Sequence, residues 1–217
     1  MSAQAEREKR LAAEAAAALV RDGMTVGLGT GTTVAHLFPA LAARGLAIRC
    51  VATSPATEAA AGAAGLRMAP FTMERLDMTI DGADQIDADG WLVKGGGGAH
   101  TREKVVALAA ERFVVIADAS KPVARLHAPV PLELLAFGLE STLAHVRGEV
   151  RLRDAPPTPD GGVIADYIGD VGDPAELAAH LEAIVGVVEH GLFPPAMVAT
   201  VLVGRGDTVE RIDVGGD

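Results

Sequence analysis

Residues 24–44, MTVGLGTGTTVAHLFPALAAR, contain the pattern that determines the fold. The apolar run from Met24 to Leu28 predicts a short buried strand, and a turn rich in glycine and threonine follows it. The stretch from Val34 to Arg44 is amphipathic and predicts a helix that Pro39 either bends or delays. A strand, a turn and a helix in this order form the repeating unit of α/β proteins.

The same alternation continues along the first part of the chain. Residues 4–21 are strong helix formers, with Leu11, Ala15, Ala18 and Leu19 recurring at helical spacing. The other predicted elements are strands at 48–53, 66–69, 78–81, 91–93 and 113–117 and helices at 55–64 and 102–112. Strands that alternate with helices predict an α/β fold with a doubly wound, mostly parallel, Rossmann-like sheet.

Beyond residue 127 the chain changes character. Prolines stand at positions 129 and 131, and residues 156–162, PPTPDGG, predict a hairpin-like turn between strands near 149–153 and 163–167. Helices are predicted near 136–146 and after Pro174, and apolar strands at 187–192 and 197–203. We therefore predict an α/β catalytic domain of residues 1–127 plus 204–217 and a smaller α+β domain of residues 128–203.

The composition argues against several classes of protein. With a net charge of −10 and no run of lysine and arginine, we expect no nucleic-acid partner. No apolar segment has the length that crosses a bilayer, so we expect no membrane partner either. One cysteine and six scattered histidines form no common metal motif, and we expect neither a metal nor a cofactor. The lack of a signal peptide adds the expectation of a cytoplasmic location.

The first candidate site is the turn at residues 27–33, GLGTGTT. Its glycines let a ligand approach the backbone, and the helix start beyond it offers amides to an anion such as phosphate. A dinucleotide site is not favoured, because Thr32 stands at the third glycine of that fingerprint and the second strand lacks a terminal acid. A nucleotide P-loop is not favoured, since no lysine follows the glycines. The alternative is a turn with a purely structural role.

Two further candidate sites follow along the chain. Residues 77–84, DMTIDGAD, place Asp81 and Asp84 where a strand ends, although a solvated turn would have the same composition. Residues 94–104, KGGGGAHTREK, contain four successive glycines, which indicate either a loop around a ligand or a mobile connector. Glu103 then falls in the first turn of a helix, where the helix dipole alone also favours an acid.

These three motifs follow one another along the chain, and Ala117-Asp118-Ala119-Ser120-Lys121 comes after them. The combination resembles the type A ribose-5-phosphate isomerase family, and the likeness extends over nearly the whole chain. It implies an enzyme that interconverts ribose 5-phosphate and ribulose 5-phosphate through an enediolate, in the non-oxidative pentose phosphate pathway. It also implies a metal-independent mechanism and a homodimer or a dimer of dimers.

The resemblance further implies roles for individual residues. Glu103 matches the base that moves the proton, and Asp81, Asp84 and Lys94 match groups that assist it. The residues that match substrate contacts are Lys9, Thr30, Gly31, Thr32, Thr33, Asp81, Gly82, Ala83, Asp84, Lys94, Gly95, Gly96, Gly97 and Lys121. The chain departs from the family pattern at Thr32, Gln85, Gly98 and residues 159–162. Gln85 stands where a glutamate is usual, which puts the charge beside Asp84 in question.

Aldose–ketose isomerisation requires residues of these types. Aldose–ketose interconversion takes a proton from carbon 2 of the open-chain sugar and returns it to carbon 1, and one carboxylate can make both transfers. Lys94 and the amides of residues 95–98 would stabilise the enediolate oxygen, each good donor contributing roughly 3 kcal/mol. The rival functions are a phosphosugar-sensing domain without catalysis, an amino-sugar phosphate deaminase, and a CoA transferase whose glutamate would attack a thioester.

Overall fold

The computed structural model describes residues 2–72, 75–146 and 148–214. The helices are α1 (Ala3–Leu19), α2 (Thr32–Ala35), α3 (Leu37–Ala42), α4 (Pro55–Ala63), α5 (His100–Leu108), α6 (Leu139–His145) and α7 (Pro174–Glu182). The strands are β1 (Thr25–Leu28), β2 (Arg49–Ala52), β3 (Met78–Gly82), β4 (Gln85–Ile86), β5 (Leu92–Val93), β6 (Phe113–Asp118), β7 (Val130–Leu134), β8 (Val150–Leu152), β9 (Val163–Tyr167), β10 (Val187–His190), β11 (Leu192–Phe193), β12 (Thr200–Arg205) and β13 (Thr208–Asp213).

The chain divides into two compact units. The first unit comprises Met1–Ala83, Arg102–Pro122 and Pro195–Asp217, and the second comprises Asp84–Thr101 and Val123–Pro194. The sequence prediction placed residues 84–101 and 123–127 in the first domain and residues 195–203 in the second, so the boundaries differ. The reason is strand pairing, since β12 pairs with β6 whereas β5 pairs with β11. Residues 215–217 of the predicted catalytic domain lie outside the described residues.

The first unit is built on a six-stranded sheet in the order β13-β12-β6-β3-β1-β2. Every neighbouring pair described in it is parallel except β12 with β13. The strand order reverses at β1, because β2 lies on one side of it and β3 on the other. The predicted α/β class with a mostly parallel sheet is therefore confirmed. A reversal of this kind opens a crevice at the carboxyl ends of the two inner strands.

Helix α1 packs on this sheet through small side chains. Its N-cap is Ser2, whose hydroxyl accepts a hydrogen bond from the amide of Ala5 at 3.1 Å. The buried residues of the helix are Glu8, Lys9, Ala12, Ala13, Ala16 and Ala17. The predicted apolar face was therefore wrong in part, because Ala18 is exposed and Leu11 is only half-buried. A helix so rich in alanine has no clear apolar period from which one face could be identified.

Several other elements differ from the prediction in their bounds. The helix predicted at 34–44 is divided at His36 into α2 and α3, with Pro39 in the first turn of α3, where a missing amide is tolerated. Residues 66–69 contribute an isolated bridge between Cys50 and Met68 in place of a strand. The helix predicted at 102–112 begins at His100 and ends at Leu108.

The second unit contains two small antiparallel sheets. The larger has four strands in the order β10-β7-β9-β8, and the smaller has three in the order β11-β5-β4. Apolar side chains of these strands and of α7, such as Leu132, Leu134 and Leu181, form its core. This unit has the α+β character that the sequence predicts. Nowhere in the described chain is a helix both long and apolar enough to span a membrane.

Candidate functional site

The carboxyl ends of β1 and β3 lie very close together where the strand order reverses. The amide of Gly29, just after β1, donates to the carbonyl of Ile80 at 3.0 Å. A Cβ atom on Gly29 would lie 1.8 Å from Oδ1 of Asp81. The first motif and the Asp81 carboxylate therefore lie side by side. Only a glycine at position 29 permits this approach.

A cluster of hydroxyl groups holds the first motif in place. The Thr30 hydroxyl lies 2.9 Å from the hydroxyls of Thr53, Ser54 and Thr57. Ser54 is the N-cap of α4, and the Thr57 hydroxyl donates to the carbonyl of Gly29 at 3.0 Å. The Thr30 side chain thus ties the loop to α4, whereas Gly31 and Thr32 are exposed. Sequence reasoning missed Thr57, whose only signal is its place in the first turn after the Ser54 cap.

Lys9 reaches the first motif from α1. Its ammonium donates to the Thr32 hydroxyl at 3.1 Å and pairs with Glu6 at 3.0 Å, although Lys9 is only 4% exposed. The His36 ring also lies 3.0 Å from the Glu6 carboxylate. Hydrogen bonds from Lys9 and His36 lower the pKa of Glu6 below its ordinary value. The arrangement keeps a cation beside Thr32, within reach of an anion that binds there.

Helix α5 runs back along β3 and carries Glu103 toward the end of that strand. Ala109 follows the last residue of α5, and Leu76 precedes β3. The carbonyl of Ala109 accepts a hydrogen bond from the amide of Leu76 at 2.9 Å. One turn earlier, the carbonyl of Val106 accepts from the Thr79 hydroxyl at 3.1 Å, inside β3. Glu103 lies another turn toward the helix start, and therefore beyond Thr79, at the level where β3 ends.

The acids at this edge of the sheet are removed from solvent. Asp81 is 1% exposed and Glu103 is 4% exposed. Lys121 follows the carboxyl end of β6, and its amide donates to the carbonyl of Asp118 at 3.2 Å. The first unit therefore brings the Thr30 loop, Asp81, Glu103 and Lys121 to one edge of its sheet. Within residues 2–72, 75–146 and 148–214, no three His, Cys, Asp or Glu side chains are grouped so that they could hold a metal ion.

The second unit holds Asp84 and the predicted residues of the glycine-rich loop, whereas Gly82 and Ala83 belong to the first unit. Asp84 accepts a hydrogen bond from the amide of Gly96 at 2.8 Å. Lys94 is 2% exposed, and its ammonium lies 5.4 Å from the centroid of the Phe193 ring, a cation–π contact. Gly95 has a φ of 99°, and a Cβ atom there would lie 2.6 Å from Nδ1 of His100. The loop is therefore packed against its own unit and is not a loose connector.

Gln85, one of the departures from the family pattern, has a structural explanation in the second unit. Its side-chain amide donates to the carbonyl of His127 at 2.7 Å, and its side-chain oxygen accepts from the amide of His127 at 2.8 Å. An ionised glutamate would accept the second bond but has no hydrogen for the first. A neutral amide therefore suits this position, and Asp84 has no charged neighbour at residue 85.

Arg153 is a further residue that sequence reasoning missed. It donates to the carbonyls of Gly95 and Gly96, although it lies more than 50 residues away in the chain. No local pattern marks it, because it stands in a polar stretch next to the turn at 156–162. Arg153 is nevertheless a contact residue of the glycine-rich loop.

Comparisons with known proteins identify the family of this chain. Residues 49–208 match the family model for ribose 5-phosphate isomerase A (phosphoriboisomerase A). Ribose-5-phosphate isomerase A of Methanosarcina acetivorans is 44% identical, over 94% of this chain and 93% of that protein. The crystal structure of ribose 5 phosphate isomerase A from Neisseria gonorrhoeae gives a TM-score of 0.92 at 32% identity, covering 100% of both chains.

A second solved structure is that of a D-ribose-5-phosphate isomerase in complex with phospho-erythronic acid. It gives a TM-score of 0.90 at 30% identity and covers 98% of this chain and 100% of its own. The match of the family model to most of the sequence, together with relatives aligned almost end to end, leaves one assignment. This chain belongs to the ribose 5-phosphate isomerase A family.

Proposed function

We propose that this protein interconverts ribose 5-phosphate and ribulose 5-phosphate, as an aldose–ketose isomerase that needs no metal. Membership of the family supports the reaction. The observation that carries the proposal is the burial of Glu103, which stands on α5 one turn before Val106, whose carbonyl binds Thr79 of β3. A carboxylate held at a crevice of this kind is suited to moving a proton within a bound ligand.

In this proposal, the first unit binds the phosphate and moves the proton. The amides and hydroxyls of Thr30–Thr33 bind the phosphate with help from Lys9, and Lys121 adds a further contact. Glu103 removes the proton from carbon 2 of the open-chain aldose and returns it to carbon 1. Because Glu103 is shielded from bulk water, the proton it carries is retained for the second transfer.

The second and third motifs have further roles in this proposal. Lys94 and the amides of Gly95 and Gly97 stabilise the negative oxygen of the enediolate, at roughly 3 kcal/mol per good donor, whereas the amide of Gly96 holds the carboxylate of Asp84. Asp81, Gly82, Ala83 and Asp84 bind the sugar hydroxyls, and one of the two aspartates assists ring opening. The motif order of the sequence supports this assignment. We also propose a homodimer or dimer of dimers that acts in the cytoplasm.

The reaction is tested by incubating the protein with ribose 5-phosphate and a chelator and measuring ribulose 5-phosphate. We expect product to form without added metal, and a protein that forms none contradicts the proposed function. A sensing domain would bind the sugar without converting it. A deaminase or a CoA transferase would act only on an amino sugar or a thioester.

The role of Glu103 is tested by Glu103→Gln, which keeps the size of the side chain and removes its basicity. We expect kcat to fall about 10²- to 10⁴-fold, the usual contribution of a general base, while phospho-erythronic acid still binds. Glu111→Gln is the matched control, because Glu111 is exposed and pairs with Arg75 at 3.3 Å. Near-normal turnover by Glu103→Gln would exclude Glu103 as the base.

A further inference from the structure

The glycine-rich loop of the second unit depends on external contacts for its shape. Residues 95–98 have no side chains, so their peptide groups rotate at little steric cost. Gly95 and Gly98 have φ angles of 99° and 73°, in the region that glycine adopts readily. One hydrogen bond inside the loop, from the amide of Gly98 to the carbonyl of Gly95 at 2.9 Å, fixes part of its shape. Groups outside the loop must select the orientation of the other peptide groups.

Arg153 binds two of these peptide groups directly. Its Nη1 donates to the carbonyl of Gly95 at 3.1 Å and to that of Gly96 at 2.9 Å. Its Nε and Nη2 donate to the two carboxylate oxygens of Asp166 at 2.8 and 2.6 Å. One planar guanidinium thus joins the loop to strand β9, in a geometry that a lysine ammonium does not reproduce.

Asp166, the carboxylate that binds the Arg153 guanidinium, is itself well fixed. Asp166 lies in β9, which has β7 on one side and β8 on the other. Arg153 follows β8, and its amide donates to the carbonyl of Ile164 at 3.0 Å. The side chains of Arg153 and Asp166 are only 22% and 20% exposed. The guanidinium is therefore held both through its backbone and through its carboxylate partner.

The direction of each carbonyl sets the direction of the next amide. In a trans peptide the C=O and N–H groups point to opposite sides. With the Gly95 carbonyl on Arg153, the Gly96 amide points away from the guanidinium, where Asp84 accepts it at 2.8 Å. With the Gly96 carbonyl on Arg153, the amide of Gly97 is likewise directed away from the guanidinium.

We propose that Arg153 is a positioning residue, which orients the Gly96 amide toward Asp84 and the Gly97 amide toward the substrate. The inference rests on the proposed function, because Asp84 and the Gly97 amide are among the groups that act on the substrate there. Arg153 acts only through the loop and makes no contact with the reacting atoms. Its contribution is therefore expected in the transition state, where the negative charge develops, more than in substrate binding.

The kinetic test compares Arg153→Ala, Arg153→Lys and the control Arg151→Ala. Arg151 lies in the same hairpin, and its side chain is exposed. We expect Arg153→Ala to lose about 10- to 100-fold in kcat with a smaller change in KM, because slight misplacement of catalytic groups is costly. Arg153→Lys should stay low, and millimolar guanidinium chloride, unlike sodium chloride, should partly restore Arg153→Ala. Should Arg153→Ala not fold, Asp166→Asn replaces it in the comparison.

A second measurement does not depend on activity. The NMR order parameters of the Gly96 and Gly97 amides should fall from about 0.85 to below about 0.6 in Arg153→Ala. Rigid glycines in the variant, a kcat within about twofold of wild type, or no rescue by guanidinium would each overturn the inference. If wild type itself does not isomerise ribose 5-phosphate, the proposed function fails, and the order parameters still decide whether Arg153 orients the loop.

Discussion

Gly29 and Asp81 lie so close together that any larger residue at position 29 would clash with Asp81. A Cβ atom at Gly29 would meet Oδ1 and Cγ of Asp81 at 1.8 and 1.9 Å. Asp81 is buried, so its carboxylate has little room to withdraw. Gly29 is therefore the residue that lets the first motif approach the acid.

We predict that Gly29→Ala destabilises the protein and abolishes most activity. Forcing an extra carbon into a packed site costs about 1–3 kcal/mol, and the displaced group here is a catalytic candidate. Gly62→Ala is the control, because a Cβ atom there meets only Met68, at 3.8 Å, and alanine favours the helix by about 0.5–1 kcal/mol. Urea unfolding and kcat/KM measure both effects. Wild-type behaviour of Gly29→Ala would show that Asp81 does not hold this position.

At the scale of secondary-structure elements, the start of α4 supports the first motif. Ser54 caps the helix by accepting a hydrogen bond from the amide of Thr57 at 3.1 Å. The same hydroxyl lies 2.9 Å from that of Thr30. The helix cap and the candidate phosphate loop therefore share one side chain, so a change in the cap should reach the loop.

We predict that Ser54→Ala affects both stability and substrate binding. Loss of an N-cap costs about 1 kcal/mol. Loss of a neutral hydrogen bond to Thr30, about 0.5–1.5 kcal/mol, should raise KM about twofold to tenfold. Asp173→Ala is the control, because Asp173 caps α7 of the second unit by accepting from the amide of Ala175 at 2.8 Å. It should lower the unfolding midpoint to a similar extent and leave KM unchanged. An equal rise of KM in both variants would contradict this coupling.

At the scale of the whole molecule, the two ends of the chain meet in the first unit. The Glu8 carboxylate of α1 accepts from the amides of Gly206 at 2.9 Å and Ala119 at 3.2 Å. A Cβ atom on Gly204 would lie 2.1 Å from the carbonyl of Glu8, so β12 passes close to α1. These contacts join the first helix to the last hairpin and to the segment that carries Lys121.

This contact predicts how stability depends on pH. Hydrogen bonds from Gly206, Gln4 and Ala119 lower the pKa of Glu8 from its ordinary value of 4.5. An acid with a lowered pKa in the folded state stabilises the protein above the unfolded pKa, and this stabilisation is lost as the pH falls below it. Glu8→Gln should therefore make the urea midpoint depend less on pH in the acid range below 4.5. Glu14→Gln, at an exposed position of the same helix, should leave this pH dependence unchanged. Equal slopes of urea midpoint against pH in the two variants would refute the prediction.

The sequence by itself determined the features that depend on neighbouring residues. Alternating apolar segments indicated the α/β class, and the glycines around Leu28 indicated a turn between β1 and α2, which the structure has. The place of Glu103 in the first turn of a helix also follows from local sequence, and the structure has it in α5; its role as the base stays a prediction. Helix starts, turns and strand ends can be predicted because they are set by interactions within a few residues.

Only the tertiary structure decided the features that join distant residues. The buried face of α1 follows from its packing on the sheet, because alanine-rich positions look alike in sequence. The assignment of β12 to the first unit follows from its pairing with β6. The contact of Arg153 with Gly95 and Gly96 spans more than 50 residues. Such contacts depend on strand order and register, which arise only when the whole chain packs, and no local pattern contains them.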